Sequence, residues 1–144
     1  MTIALQYCHI TVSDLDESLA FYRDALGLEV RQDVGSGVSR WITLGSDTQP
    51  GLEFVLSVPH AGRTRSEGDA LQDLLTQGIL PMIVFSTDDL DETFERVRAW
   101  GAEVLQEPIE RPWGPRDSAF RDPSGNMVRI QQPSKNMEQI IPFW

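Results

Sequence analysis

Cysteine occurs once, at Cys8, histidine only twice, and basic side chains are outnumbered by acidic ones, 12 to 22. A single thiol excludes an intrachain disulfide and a cysteine-built zinc site, and in its apolar segment Cys8 reads as a core residue. The formal net charge of -10 leaves no basic surface to displace counterions, so neither nucleic acid nor anionic membrane is expected as a partner. Solubility alone accounts for such a charge; attraction of a cationic ligand is the more specific alternative. The first residues, MTIALQYCHITVSDLDES, lack a basic n-region and turn acidic before any apolar run reaches the length of a signal or membrane helix, which predicts a cytoplasmic protein. Also missing are a glycine-rich phosphate loop before a helix, a serine-centred nucleophile elbow and a catalytic-thiol signature around Cys8.

What is present points to one globular body. The 144 residues are enough for a core and too few for two ordinary domains, and 40% hydrophobic with 24% charged residues is the composition of a folded chain. An internal repeat organises it: DLDES at residues 14–18 recurs as DLDET at 89–93, an offset of 75. Before each copy lies an apolar, β-branched stretch of strand length, YCHITV and MIVFST. After each comes a helix, with Asp14 and Glu17, and Asp89 and Glu92, at capping-box spacing. Leu15, Leu19, Tyr22 and Leu26 form one apolar stripe; Leu90, Phe94 and Val97 form its counterpart. Gly27 and Gly101 suit left-handed C-terminal caps.

Three strands follow each helix: Glu29–Val34, Ser39–Leu44 and Leu52–Val58, then Glu103–Glu107, Asp117–Arg121 and Asn126–Gln131. DPSGN at 122–126 is a strong turn. The order is βαβββ twice, with module one at about 5–58, a polar linker at 59–79 containing a short helix in DALQDLLTQ, module two at about 80–132 and a tail at 133–144 ending in PFW.

The SLAFYRDALGLEV helix, the later WITL strand and the closing FRDPSGNMVRI resemble the glyoxalase, bleomycin-resistance and extradiol-dioxygenase families of the vicinal-oxygen-chelate superfamily over residues 5–132. The resemblance implies an α+β fold in which two tandem βαβββ modules form a cupped mixed sheet, helices outside, usually as a homodimer. It also implies where a metal would sit. In metal-using members a histidine lies seven residues before the aspartate opening each helix and a glutamate four after the glycine of the closing turn. Those positions hold Tyr7, Met82 and Arg129 here, and the fourth is best matched by Glu53. A phenol, a thioether, a guanidinium and one carboxylate make a poor divalent site, and a protonated guanidinium repels a dication. No cofactor is expected; nickel, zinc, iron or manganese is the alternative, held by His9 and Glu53.

Strand alternation puts Tyr7, His9 and Thr11 on one face and Cys8, Ile10 and Val12 on the other. The apolar set belongs under the helix, so His9 faces the cup, where it pairs with Glu53 as a metal fragment or general base, or else merely shapes the cavity. His60 reads as an exposed loop histidine. Arg129 opposite Glu53 is either a structural salt bridge or a substrate clamp. Trp41, Trp113 and Phe120 either line a flat apolar slot or pack in the core; Arg116 meets an anionic ligand or a surface aspartate.

Three functions remain open. The first is a metal-independent protein binding a small amphipathic or cationic compound in an aromatic, acidic pocket, similar to the antibiotic-sequestering members. The second is a lyase, isomerase or dioxygenase using His9 and Glu53. The third is a partner-binding module whose cup is filled by its own side chains or by the PFW tail.

Overall fold

The computed structural model describes residues 2–112 and 114–133. They form two compact units, one running to Leu80 and including Pro123–Asn126, the other comprising Pro81–Asp122 and resuming at Met127. The elements in chain order are β1 (Tyr7–Thr11), α1 (Leu15–Ala20), β2 (Glu29–Val34), β3 (Trp41–Gly45), β4 (Glu53–Ser57), α2 (Arg65–Thr76), β5 (Ile83–Ser86), α3 (Leu90–Trp100), β6 (Glu103–Ile109), β7 (Arg116–Arg121) and β8 (Met127–Gln132). The strands make two four-stranded sheets, β1-β4-β3-β2 and β5-β8-β7-β6. In each, the first pair is parallel and the others antiparallel. This is the twice-repeated βαβββ order in an α+β fold.

In the first unit, Asp14 accepts a hydrogen bond from the Glu17 amide at 2.9 Å and starts α1. The helix does not keep α-geometry to its end. Phe21–Ala25 form a π-helical turn, closed by the Leu26 amide donating to the Phe21 carbonyl at 3.2 Å. The wider turn rotates the following side chains, so that Phe21 and Tyr22 are both buried. Leu15, Leu19 and Tyr22 are buried with Ile10, Val12, Ile42, Leu44 and Leu56 from alternate strand positions. Each such aliphatic side chain contributes roughly 1.5–3 kcal/mol by leaving water. Cys8 belongs to the same strand parity but is exposed, because it lies at the outer end of an edge strand, beyond the buried Ile10 and Val12. Its expected place in the core is therefore corrected.

The 59–79 segment is more ordered than a polar linker. Thr64 and Glu67 form a reciprocal capping box, and α2 extends over Arg65–Thr76. The turn before β8 belongs to the first unit. Asn126 Nδ2 donates to the Thr11 carbonyl at 2.8 Å, and Ser124 Oγ accepts from the Ser13 amide at 2.9 Å. The second unit repeats the plan: Asp89 caps α3, Gly101 ends it with φ 110°, and Leu90, Phe94 and Val97 are buried with Phe120, Val128 and Ile130.

Candidate functional site

The register of the first sheet builds the site. Tyr7, His9 and Thr11 on β1 lie opposite Glu53, Val55 and Ser57 on β4, and Val55 lies opposite Thr43 on β3. Directly opposed residues share a face, so this set, with Trp41, points away from the buried Ile10, Leu56 and Ile42. The Trp41 indole reaches over β4 and meets two β1 rings edge-on, Tyr7 at 6.0 Å and His9 at 5.7 Å between centroids.

At the end of the sheet where β1 and β4 finish, this face opens into a recess of about 410 Å³. His9, Trp41, Val55 and Ser57 line its floor. One wall is the turn Val38–Arg40 between β2 and β3; the other is Ala61–Arg63, after β4. Both walls are tied down. Arg40 bonds Asp33 through Nε and Nη2, each at 2.9 Å, and Asp16 through Nη1 at 2.7 Å, which pins the turn to α1. Hydrogen bonding by Arg40 holds the Asp33 carboxyl below its ordinary range. Arg63 donates to the Pro59 carbonyl at 3.1 Å, and His60 Nε2 lies 2.8 Å from Asp69 Oδ1, fastening the other wall to α2. His60 is thus a loop residue with a specific partner.

The sequence-predicted residues divide. Tyr7, His9, Thr11 and Trp41 share one face. His9 does not pair with Glu53: its Nδ1 lies 3.4 Å from Ser57 Oγ, while Glu53 is registered beside Tyr7 and stands outside the recess lining. No group of three or more metal-ligating side chains occurs among the described residues. The expected acidic lining is also corrected, since the charged groups at the recess are Arg40 and Arg63. Phe120 is not a pocket residue. It is wholly buried beside Phe94, ring centroids 5.3 Å apart, because its strand parity is that of the core residues Val128 and Ile130. Trp113 lies outside the described residues. Arg116 pairs with a surface aspartate, its Nη2 lying 3.0 Å from Asp91 Oδ1.

In the second unit Met82 is exposed just ahead of β5. Arg129 bonds within its own unit, through Nη1, to Asp117 at 3.3 Å and Gln106 at 3.4 Å. The equivalence of Glu53 and Arg129 is corrected by register. Arg129 lies opposite Val84, and subtracting the repeat offset of 75 gives His9, whose partner is Val55. Val55, not Glu53, is the counterpart of Arg129. The sequence showed the closing turn clearly but not which residue of β4 matched it.

Residues 4–130 match the model of the Glyoxalase/Bleomycin resistance protein/Dioxygenase superfamily, and the chain belongs to that superfamily. It is 32% identical to the uncharacterised protein YurT of Bacillus subtilis (strain 168), over 85% of this chain and 94% of that one. Among solved structures it is similar to UcmS2, at 34% identity and TM-score 0.81, covering 91% of this chain and 98% of that one. It is also similar to TnmS3, an antibiotic binding protein from Streptomyces sp. CB03234, at 27% identity and TM-score 0.73, covering 93% and 99%. No described helix is long and apolar enough to cross a membrane.

Proposed function

We propose that the chain is a small-molecule-binding protein that takes a flat, largely apolar compound into the recess beside Trp41 and needs no bound metal to do so. The observation that carries this reading is the recess itself, about 410 Å³ with His9, Trp41 and Val55 on its floor; that size and mix of apolar and few polar groups is the usual character of a ligand site. The similarity to an antibiotic binding protein supports it. So does the chemistry of Tyr7, Met82 and Arg129, which stand where the family resemblance implies metal ligands, and of Val55, the register counterpart of Arg129: a phenol, a thioether, a guanidinium and an alkyl group make a poor divalent site. An enzyme built on His9 and Glu53 as an acid–base pair is not favoured, since His9 meets Ser57. The charged groups lining the recess are Arg40, which is paired with Asp33 and Asp16, and Arg63, so charge there is close to balanced, which favours neutral compounds.

The test is fluorescence and thermal-shift titration with a panel of neutral polycyclic aromatic compounds. Trp41→Ala should weaken the best binder at least tenfold, about 1.4 kcal/mol, and elemental analysis after exposure to nickel, zinc, iron(II) and manganese should find no stoichiometric metal. Near one metal per chain, lost in Glu53→Gln, would turn the assignment to a lyase or oxygenase. We place the protein in the cytoplasm, and as a homodimer on the strength of exposed apolar side chains at Tyr7, Val34, Val38, Met82 and Val84; a monomer mass in sedimentation would remove the second statement.

A further inference from the structure

We propose that Arg129 is an anion-binding residue whose Nε and Nη2 edge receives the carboxylate of a small organic acid. The site lies in the second unit, whereas the recess beside Trp41 lies in the first. Arg129 sits on β8 between Val84 on β5 and Ala119 on β7, on the sheet face opposite the buried Phe120 and Val128. Its side chain is only 25% exposed.

Three features of the guanidinium support the assignment. Its orientation is fixed from one corner: Nη1 alone contacts Asp117 Oδ1 and Gln106 Oε1. Those acceptors are themselves held, Gln106 Nε2 donating to Asp117 Oδ1 at 2.5 Å and Arg111 Nη2 donating to Gln106 Oε1 at 3.1 Å. Second, no described residue bonds Nε or Nη2, which leaves the side-on fork of N–H donors, the edge that matches both oxygens of a carboxylate. Third, Asp117 is shared with Arg111, whose Nη2 lies 3.2 Å from the same Oδ1. Arg129 therefore does not hold that carboxylate to itself.

Neither Nε nor Nη2 of Arg129 is among the buried polar atoms that lack a partner, so the fork is open to solvent, and a carboxylate there would take the place of water. A planar two-oxygen anion satisfies the fork without moving Nη1 from Asp117.

The experiment is an NMR titration of the intact chain with benzoate, with neutral benzamide as its isostere, reading the Arg129 Nε–H and Trp41 indole N–H resonances together. Benzoate should move the Arg129 resonance to saturation, and benzamide should leave it in place. Arg129→Lys, which keeps the charge but loses the fork, should weaken benzoate about tenfold or more, with amide dispersion unchanged. An Arg129 resonance that ignores benzoate up to its solubility limit, or follows benzamide equally, overturns the proposal. Inorganic phosphate that displaces benzoate at a lower concentration than benzoate itself needs overturns the choice of carboxylate. Movement of Trp41 alone overturns this site while leaving the recess standing.

Discussion

Gly68 controls the recess from a distance. A Cβ there would overlap the His60 imidazole, which meets Asp69 from the same side of α2 and so holds the wall Ala61–Arg63. Gly68→Ala should therefore act in two directions. Alanine favours a helix interior by roughly 1 kcal/mol over glycine, but the ring must leave Asp69 to make room. With His60 present we expect lower stability and several-fold weaker recess binding; in a His60→Ala background the same change should stabilise by about 1 kcal/mol, as read by urea unfolding. Equal effects in both backgrounds would show that the ring does not matter. The sequence marked His60 as a loop residue correctly, and nothing in it showed the contact with α2, which depends on how the chain folds back across nine positions. Trp41 and Phe120 make the complementary point. Both looked like pocket aromatics, yet only strand parity separates them, and parity becomes readable only once the register of each sheet is known.

At the scale of elements the sequence was most informative where one residue does a local job. Asp14 and Asp89 were legible as helix starts because a short carboxylate can satisfy an orphan amide in any tertiary setting, and both do so, to Glu17 and Glu92 at 2.9 and 3.1 Å. Replacing either by alanine should cost about 1 kcal/mol. Because the two caps serve different helices with no shared partner, the double variant should cost the sum to within roughly 0.5 kcal/mol in chemical denaturation; a marked shortfall would mean that the two helices fail together. The π-turn at Phe21–Ala25 was not legible. A stripe at 3.6-residue spacing predicts a regular helix to Leu26, and only packing, which buries the consecutive Phe21 and Tyr22, makes the wider turn favourable. The bulge between Val30 and Gln32 was hidden likewise. It frees the Arg31 guanidinium to donate to the carbonyls of Ser46 and Leu52 at 2.8 and 3.0 Å, close against Gly45, where a Cβ would overlap it.

Across the whole molecule the excess of acidic groups, 22 against 12 basic, sets how stability responds to acid. Several of these carboxylates are held below their ordinary range: Asp33 by hydrogen bonding from Arg40, Asp91 by hydrogen bonding from Arg116, and Glu67 by the Thr64 backbone amide. A carboxylate whose folded value is depressed stabilises the fold above the unfolded value, and that contribution disappears as pH falls through the folded one. These groups lie at the surface, where each pair contributes little because solvent screens it, so the loss should be gradual and shared. Between about pH 7 and pH 5 carboxylates near their reference values of roughly 4 stay ionised, and the melting temperature should change little. Below about pH 4 it should fall, and more steeply at low ionic strength, where the pairs are least screened. Relief of self-repulsion in a chain of net charge -10 pulls the opposite way. The sign of the change therefore decides between the two effects: a melting temperature that rises as the carboxylates protonate would show that repulsion outweighs the specific pairs. A fall that is smaller in Asp33→Asn and Asp91→Asn would assign it to those pairs.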